Sequence, residues 1–100
     1  MARVHMLKEH IVPIAIIILA AGSSDRMRQP KGLLNWKGRP LLEHQCVEAL
    51  QSNLGPTLVV IGGHAAAYAR VIPADVSVLI NPNWASGRVS SILFGMKALP

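Results

Sequence analysis

The feature that most constrains the fold is an apolar run at positions 13–20, PIAIIILA, which ends directly in a loop of small and polar residues. Apolar and polar residues do not alternate within the run, and this predicts a strand buried on both faces, as in a parallel sheet. The run is too short to cross a membrane as a helix, which needs ~20 apolar residues. We therefore predict a first strand that ends at the edge of a sheet.

The rest of the chain alternates between strand and helix patterns. Apolar runs recur at 57–63 and 76–82, and segments with helical spacing occupy 40–53, 64–72 and 88–99. LLNW at 33–36 predicts a short extended piece that is closed by a turn at Lys37-Gly38. Alternating strands and helices imply right-handed crossovers. The predicted fold class is α/β: a three-layer, Rossmann-like parallel sheet with helices on both faces.

Two of the helical segments have an apolar face. In the first, the residues that share this face are Leu41, Leu42, Cys46, Ala49 and Leu50. In the last, the residues expected to face the sheet are Val89, Ile92, Leu93 and Met96. Ligands of such folds bind beyond the carboxyl ends of the strands. The sequence places three segments there: the loop at 20–32, the pair Gly62-Gly63, and residues 81–91.

Charge and composition restrict the class of partner. The net charge is +5, from 10 Lys and Arg against 5 Asp and Glu. Such a balance suits nucleic acid, a membrane surface or a phosphorylated small molecule. Only 4% of the residues are aromatic, which argues against single-stranded nucleic acid. We expect a small-molecule partner, with no nucleic acid and no membrane. Cys46 has no second cysteine to pair with, which favours the cytoplasm.

A secretory signal is an open alternative at this point. Arg3 and Lys8 would form its positive region, residues 11–21 its apolar region, and LAAGSS its cleavage site. Cleavage after Ala21 would destroy the first loop.

The first loop has the chemistry of a phosphate site. Its small residues allow backbone N–H groups to approach an anion, and Arg26 and Lys31 add positive charge. Neither the P-loop string nor the dinucleotide fingerprint occurs in it. From composition alone, a phosphate site and a solvated strand end are equally good interpretations. In the second, the cations of Arg26, Arg28 and Lys31 only face water.

The string LAAGSSDRMRQPKGLLNWKGRPLLEH at 19–44 resembles the signature of the MobA-like nucleotidyltransferases, L-A-[AG]-G-x-S-x-R-M-G-x-[PD]-K-x-L-L followed by Gly-x-Pro-Leu. NPNWASGRVSSILFGM at 81–96 resembles the family's Asn-Pro…Gly…Ser-Ser region, and VVIGG resembles the strand end between them. The resemblance runs from about Pro13 to Lys97. It implies the N-terminal nucleotide-binding part of such a domain at 13–100. Residues 1–12 show no clear periodicity and are expected to form a mobile leader.

The resemblance also implies roles for single residues. The implied nucleotide-binding residues are Ala20, Ala21, Gly22, Ser23, Ser24, Arg26, Lys31, Gly62, Asn81 and Ser90. Arg26 and Lys31 would act in catalysis: they would bind the triphosphate and stabilise the pyrophosphate as it leaves. Asn81 and Ser90 would lie near the base and ribose, where Trp84 is a candidate for stacking.

Ala21 and the Pro30-Lys31 pair resemble the cytidylyltransferase branch of the family. That branch implies transfer of CMP from CTP to molybdopterin, with release of pyrophosphate and Mg²⁺ on the phosphates. Transferases of sugar phosphates or methylerythritol phosphate have similar first loops and stay open as alternatives.

Three departures from the family pattern qualify this expectation. Arg28 replaces a Gly, and Arg88 and Val89 follow Gly87 where Met and a small residue are usual. The Asp-x-Pro motif, whose aspartate holds the metal in the family, does not occur in the sequence. No metal ligand is therefore assigned, and the fold is expected to stop after its third main strand. A paralogue that binds nucleotide without catalysis, or self-association through the unfinished sheet edge, fits these departures.

Overall fold

The computed structural model describes residues 14–22 and 30–99. The strands within these ranges are β1 (Ile16–Ala20), β2 (Asn35–Trp36), β3 (Arg39–Pro40), β4 (Thr57–Ile61) and β5 (Ser77–Ile80). The α-helices are α1 (Leu41–Ser52), α2 (Ala65–Ala69) and α3 (Arg88–Lys97). Two single-turn 3₁₀ helices span Lys31–Leu33 and Trp84–Ser86. Residues 1–12, predicted as a leader, lie outside the described residues.

The main sheet has the order β1-β4-β5, and both pairings are parallel. Ile16 pairs with Thr57 at one end of the sheet, and Ile61 pairs with Ile80 at the other. Every residue of the central strand β4 is buried. The parallel sheet with helices confirms the predicted fold class. The expected burial on both faces holds for β4 but not for β1, whose residues are half-buried, and three of the four residues of β5 are exposed.

Alternate residues of β4 contact helices on opposite faces. Val59 and Ile61 pack in one cluster with Leu42 and Cys46 of α1 and with Tyr68 of α2. On the other face, Val60 lies against α3 at Gly95. The three layers are therefore α1 with α2, the sheet, and α3.

A small hairpin, β2 and β3, joins the first loop to α1. Asn35 pairs with Pro40, and the turn between them is formed by Lys37 and Gly38, both at positive φ (52° and 92°). Positive φ at both central residues matches the twist of a two-residue hairpin. The Gly38 N–H also donates to Asn35 Oδ1 at 3.0 Å. The predicted turn at Lys37-Gly38 is confirmed.

The apolar face of α1 is confirmed, since Leu42 and Cys46 are buried and Leu41, Ala49 and Leu50 are half-buried. The expected inner face of α3 is wrong for Val89, Leu93 and Met96, whereas Ile92 is half-buried. Its described residues that meet the sheet most closely are Ser91 and Gly95, which are buried. The larger side chains Val89, Leu93 and Met96 are exposed by 66%, 51% and 56%.

Close approach explains this arrangement of α3. A Cβ at Gly95 would lie 3.1 Å from Val60 Cγ2 and 3.3 Å from Ile17 Cγ2. Small residues on the inner face allow the helix backbone to contact the sheet directly, so the longer apolar side chains lie on the opposite side. Among the described residues, no helix is both long and apolar enough to cross a membrane.

Candidate functional site

The carboxyl ends of the three main strands meet at one edge of the sheet. Gly63 N–H donates to the Ala21 carbonyl at 2.8 Å, and Asn81 N–H donates to the Ile61 carbonyl at 2.8 Å. These bonds continue the sheet beyond the last paired residues of the strands. The structure thus brings together the segments after β1, β4 and β5, as the topology predicts.

A cavity of about 210 Å³ opens at this edge, between the end of β1 and the first turn of α3. The residues that line it are Leu19, Ala21, Gly22, Trp84, Gly87, Arg88 and Ser91. Of the residues implied by the resemblance, Ala21 and Gly22 are therefore at the cavity. Ala20 instead packs against the cluster on the α1 face, and Ser91 lines the cavity in place of its neighbour Ser90.

Gly62 shapes the cavity through its missing side chain. A Cβ at this position would lie 2.5 Å from Trp84 Cβ, 2.7 Å from Trp84 Cγ and 2.9 Å from the Ala21 carbonyl oxygen. Distances under 3 Å are repulsive, so only glycine allows the indole to rest on the end of β4. Gly62 thereby places Trp84 in the cavity wall.

Asn81 holds the segment that carries Trp84 and Arg88. Its side chain is 1% exposed, and its Nδ2 donates to Ser90 Oγ at 3.1 Å and to Ser91 Oγ at 3.0 Å. Its Oδ1 accepts the Asn83 N–H at 2.9 Å. Ser90 Oγ in turn donates to the Asn83 carbonyl at 3.2 Å. Both hydrogens of the Asn81 side-chain amide are thus donated within the protein. Direct contact of Asn81 or Ser90 with a nucleotide stays a prediction.

Arg88 brings a positive charge to the cavity. It follows Gly87, whose φ of 110° is a conformation that favours glycine, and it begins α3. The Arg88 side chain is exposed and forms no ion pair within residues 14–22 and 30–99. Its guanidinium is available to an anion or to hydrogen-bond acceptors of a ligand.

Lys31 is exposed on the 3₁₀ turn Lys31–Leu33, on the α1 side of the sheet. The next residue, Gly32, donates its N–H to Tyr68 Oη at 3.1 Å. Sequence reasoning missed Tyr68, which joins positions 36 residues apart. Its signal was a tyrosine four residues after His64 in a short alanine-rich helix, just beyond Gly62-Gly63.

The other nucleotide-binding residues predicted in the first loop are Ser23, Ser24 and Arg26, and they lie outside the described residues, as does Arg28. Gly22 and Pro30 flank that segment. The roles assigned to Arg26 and to the two serines stay predictions.

Metal binding finds no support in the described residues. Residues 14–22 and 30–99 contain no group of three or more His, Cys, Asp or Glu side chains placed to hold an ion. None of the described residues that line the cavity carries a carboxylate, the ligand type that Mg²⁺ prefers. These residues therefore do not fit a protein-held Mg²⁺.

The thiol of Cys46 is unreactive, because burial and the nearby Glu43 carboxylate raise its pKa to about 11.

A parallel α/β sheet with glycines at its strand ends and a cavity at its carboxyl edge is typical of domains that bind nucleotides. The chain belongs to a particular family of such domains, the MobA-like NTP transferase domain, whose family model matches residues 16–100. The family resemblance of the first loop is thereby confirmed.

Individual relatives differ in what they do. The chain is 44% identical over 66 residues to the molybdenum cofactor guanylyltransferase of Xanthomonas euvesicatoria pv. vesicatoria (strain 85-10), covering 66% of this chain and 33% of that protein. It is 36% identical over 81 residues to the nicotine blue oxidoreductase of Paenarthrobacter nicotinovorans, covering 79% and 40%. The chain thus spans well under half the length of either relative.

A solved structure also resembles this fold. The crystal structure of Rv0371c from Mycobacterium tuberculosis H37Rv superimposes with a TM-score of 0.62 at 28% identity, covering 68% of this chain and 36% of that one.

Proposed function

We propose that this chain binds CTP at the carboxyl edge of β1 and forms the nucleotide-binding part of a nucleotidyltransferase that transfers CMP to molybdopterin. The observation that carries the proposal is the cavity between the end of β1 and the first turn of α3, which Trp84 and Arg88 line. Membership of the family and the match to a molybdenum cofactor guanylyltransferase support the reaction class. We propose cytidine as the base because Ala21 and the Pro30-Lys31 pair resemble the cytidylyltransferase branch of the family.

The residues of the chain suit a reaction that depends on positioning and charge. In nucleotidyl transfer, a phosphate oxygen of the acceptor forms a bond to the α-phosphorus, and the bond to the leaving pyrophosphate breaks. Lys31 and Arg26 would neutralise the charge that develops on the pyrophosphate. Backbone N–H groups near Ala21 and Gly22 would lie against the nucleotide, and the Trp84 indole would stack on its base.

Binding without catalysis is the second candidate. It is favoured by the lining of the cavity, since no carboxylate occurs among the lining residues within 14–22 and 30–99. Pyrophosphate release separates the two candidates, because a chain that binds CTP but releases no pyrophosphate in the presence of Mg²⁺ and molybdopterin is a binding module.

We further propose that the protein acts in the cytoplasm on small molecules and associates with itself through β1. The sheet order leaves one edge of β1 without a partner strand among the described residues. An unpaired edge can pair with another chain. Sedimentation that stays monomeric at millimolar concentration would contradict the self-association.

The test of nucleotide binding compares two tryptophans. Trp84 lines the cavity, whereas Trp36 lies exposed by 49% on the hairpin. Trp84→Leu should weaken CTP binding roughly tenfold through lost stacking, and Trp36→Leu should leave it unchanged. Calorimetry with CTP, GTP, ATP and UTP measures both the affinities and the base preference. Equal loss in the two variants, or no CTP binding by the unaltered chain, would contradict the proposal.

A further inference from the structure

The contact between Gly32 and Tyr68 connects the core of the protein to the turn that carries Lys31. The turn Lys31–Leu33 has its own hydrogen bonds from Leu33 N–H to Pro30 and from Leu34 N–H to Lys31. The Gly32 N–H belongs to the first turn of a helix, where backbone donors have no partner within the helix. Tyr68 Oη accepts this hydrogen at 3.1 Å and supplies the missing partner.

Packing fixes the same turn sterically. A Cβ at Gly32 would lie 2.8 Å from Tyr68 Cε1, 3.0 Å from Tyr68 Cζ and 3.1 Å from Leu42 Cβ. The backbone of Gly32 therefore rests directly on the tyrosine ring, with no room for a side chain. The Tyr68 ring and its hydroxyl together fix the distance of the turn from the core and its orientation.

Tyr68 is itself held rigidly. It is 3% exposed and belongs to the core cluster with Leu42, Cys46 and Ile61. Its ring meets the His64 ring edge-on, with 6.0 Å between the centroids. A buried ring has few accessible rotamers, so the hydroxyl has a fixed position relative to the carboxyl end of β4.

We propose that Tyr68 is a positioning residue for phosphate binding, which holds the turn that carries Lys31 through the Gly32 N–H. The inference rests on the proposed function, in which Lys31 binds the triphosphate. Lys31 is a mobile point charge, and its reach depends on where its backbone is anchored. Tyr68 provides the anchor without contacting the nucleotide.

The test is a double-mutant cycle between Tyr68→Phe and Lys31→Met in the full chain. Phenylalanine keeps the ring and its packing but removes the acceptor for Gly32 N–H. Calorimetry measures the affinity for CTP with Mg²⁺ and, separately, for inorganic pyrophosphate. Tyr68→Phe should weaken both about three- to tenfold when Lys31 is present, and should have almost no effect when Lys31 is methionine.

A matched control removes a different hydroxyl. Ser52 Oγ donates to the Ala49 carbonyl at 2.6 Å at the exposed end of α1. Ser52→Ala should leave both affinities unchanged. Gly32→Ala provides a second perturbation from the other side of the contact, because its Cβ pushes the turn off the ring while Tyr68 and Lys31 stay intact. It should weaken binding at least as much as Tyr68→Phe.

The outcomes separate this inference from the proposed function. Equal weakening by Tyr68→Phe with and without Lys31 shows a general structural effect and overturns the positioning role. Normal binding by Tyr68→Phe, with weak binding by Lys31→Met, overturns the positioning role and leaves the proposed function intact. Normal binding by Lys31→Met contradicts the phosphate role of Lys31 and overturns the positioning role, whereas in this test only a failure of the unaltered chain to bind CTP contradicts the proposed function.

Discussion

Glycine at the end of β4 determines where an aromatic side chain can lie. Gly62 contacts Trp84 so closely that even a methyl group would overlap the indole. At Gly22, by contrast, a Cβ would have no atom of the described residues within 4 Å. Both glycines were implied by the family resemblance, but only Gly62 is needed for packing.

Gly62→Ala should therefore destabilise the fold by about 1–3 kcal/mol, because the new methyl group overpacks against Trp84 and the Ala21 carbonyl. Thermal unfolding measures the change, and tryptophan fluorescence reports the displacement of the indole. Gly22→Ala is the matched control and should change stability by at most about 0.5 kcal/mol. An equally stable Gly62→Ala protein would contradict the contact.

The residues that sequence reasoning missed act across long separations. The resemblance identified Ala21, Gly22 and Gly62 because each lies within a short motif. Tyr68 contributes through a contact 36 residues away, which no local pattern reveals. Asn81 was identified from its motif, but its hydrogen bonds to Ser90 and Ser91 show a scaffolding role that the motif does not specify.

At the scale of elements, α3 shows how periodicity can mislead. The spacing of Val89, Leu93 and Met96 correctly indicates one face of a helix, but that face is exposed. The buried positions Ser91 and Gly95 are small, and hydrophobic patterning gives small residues little weight. Strands β1, β4 and β5 were easier to predict, because each reads as a short apolar run bounded by Gly, Pro or Asn.

The packing of α3 predicts a large loss of stability at one position and a small loss at its neighbour. Gly95→Val should destabilise the fold by about 2–3 kcal/mol, since its side chain would meet Val60 and Ile17. Met96→Val places the same side chain on the exposed face and should cost less than about 1 kcal/mol. Chemical denaturation measures both changes. If both variants lost the same free energy of unfolding, the assignment of Gly95 to the inner face of α3 would be contradicted.

At the scale of the whole molecule, topology explains why the site could be placed from the sequence. The parallel order β1-β4-β5 brings the segments after each strand to one edge, however far apart they are in the chain. The details of the cavity were less predictable, because its wall depends on how α3 approaches β1. Arg88 and Ser91 enter the lining through that approach.

The proposed nucleotide site lies at the carboxyl edge of β1, against the first turn of α3. Titration of the isotope-labelled chain with CTP and Mg²⁺, followed by amide NMR shifts, tests it most directly. We expect the largest shifts at Ala21, Gly22, Gly87 and Arg88 and at the Trp84 indole N–H. The signals of Trp36 and of the end of α1 should stay unchanged. Shifts confined to other surfaces, or no shifts at millimolar CTP, would contradict it.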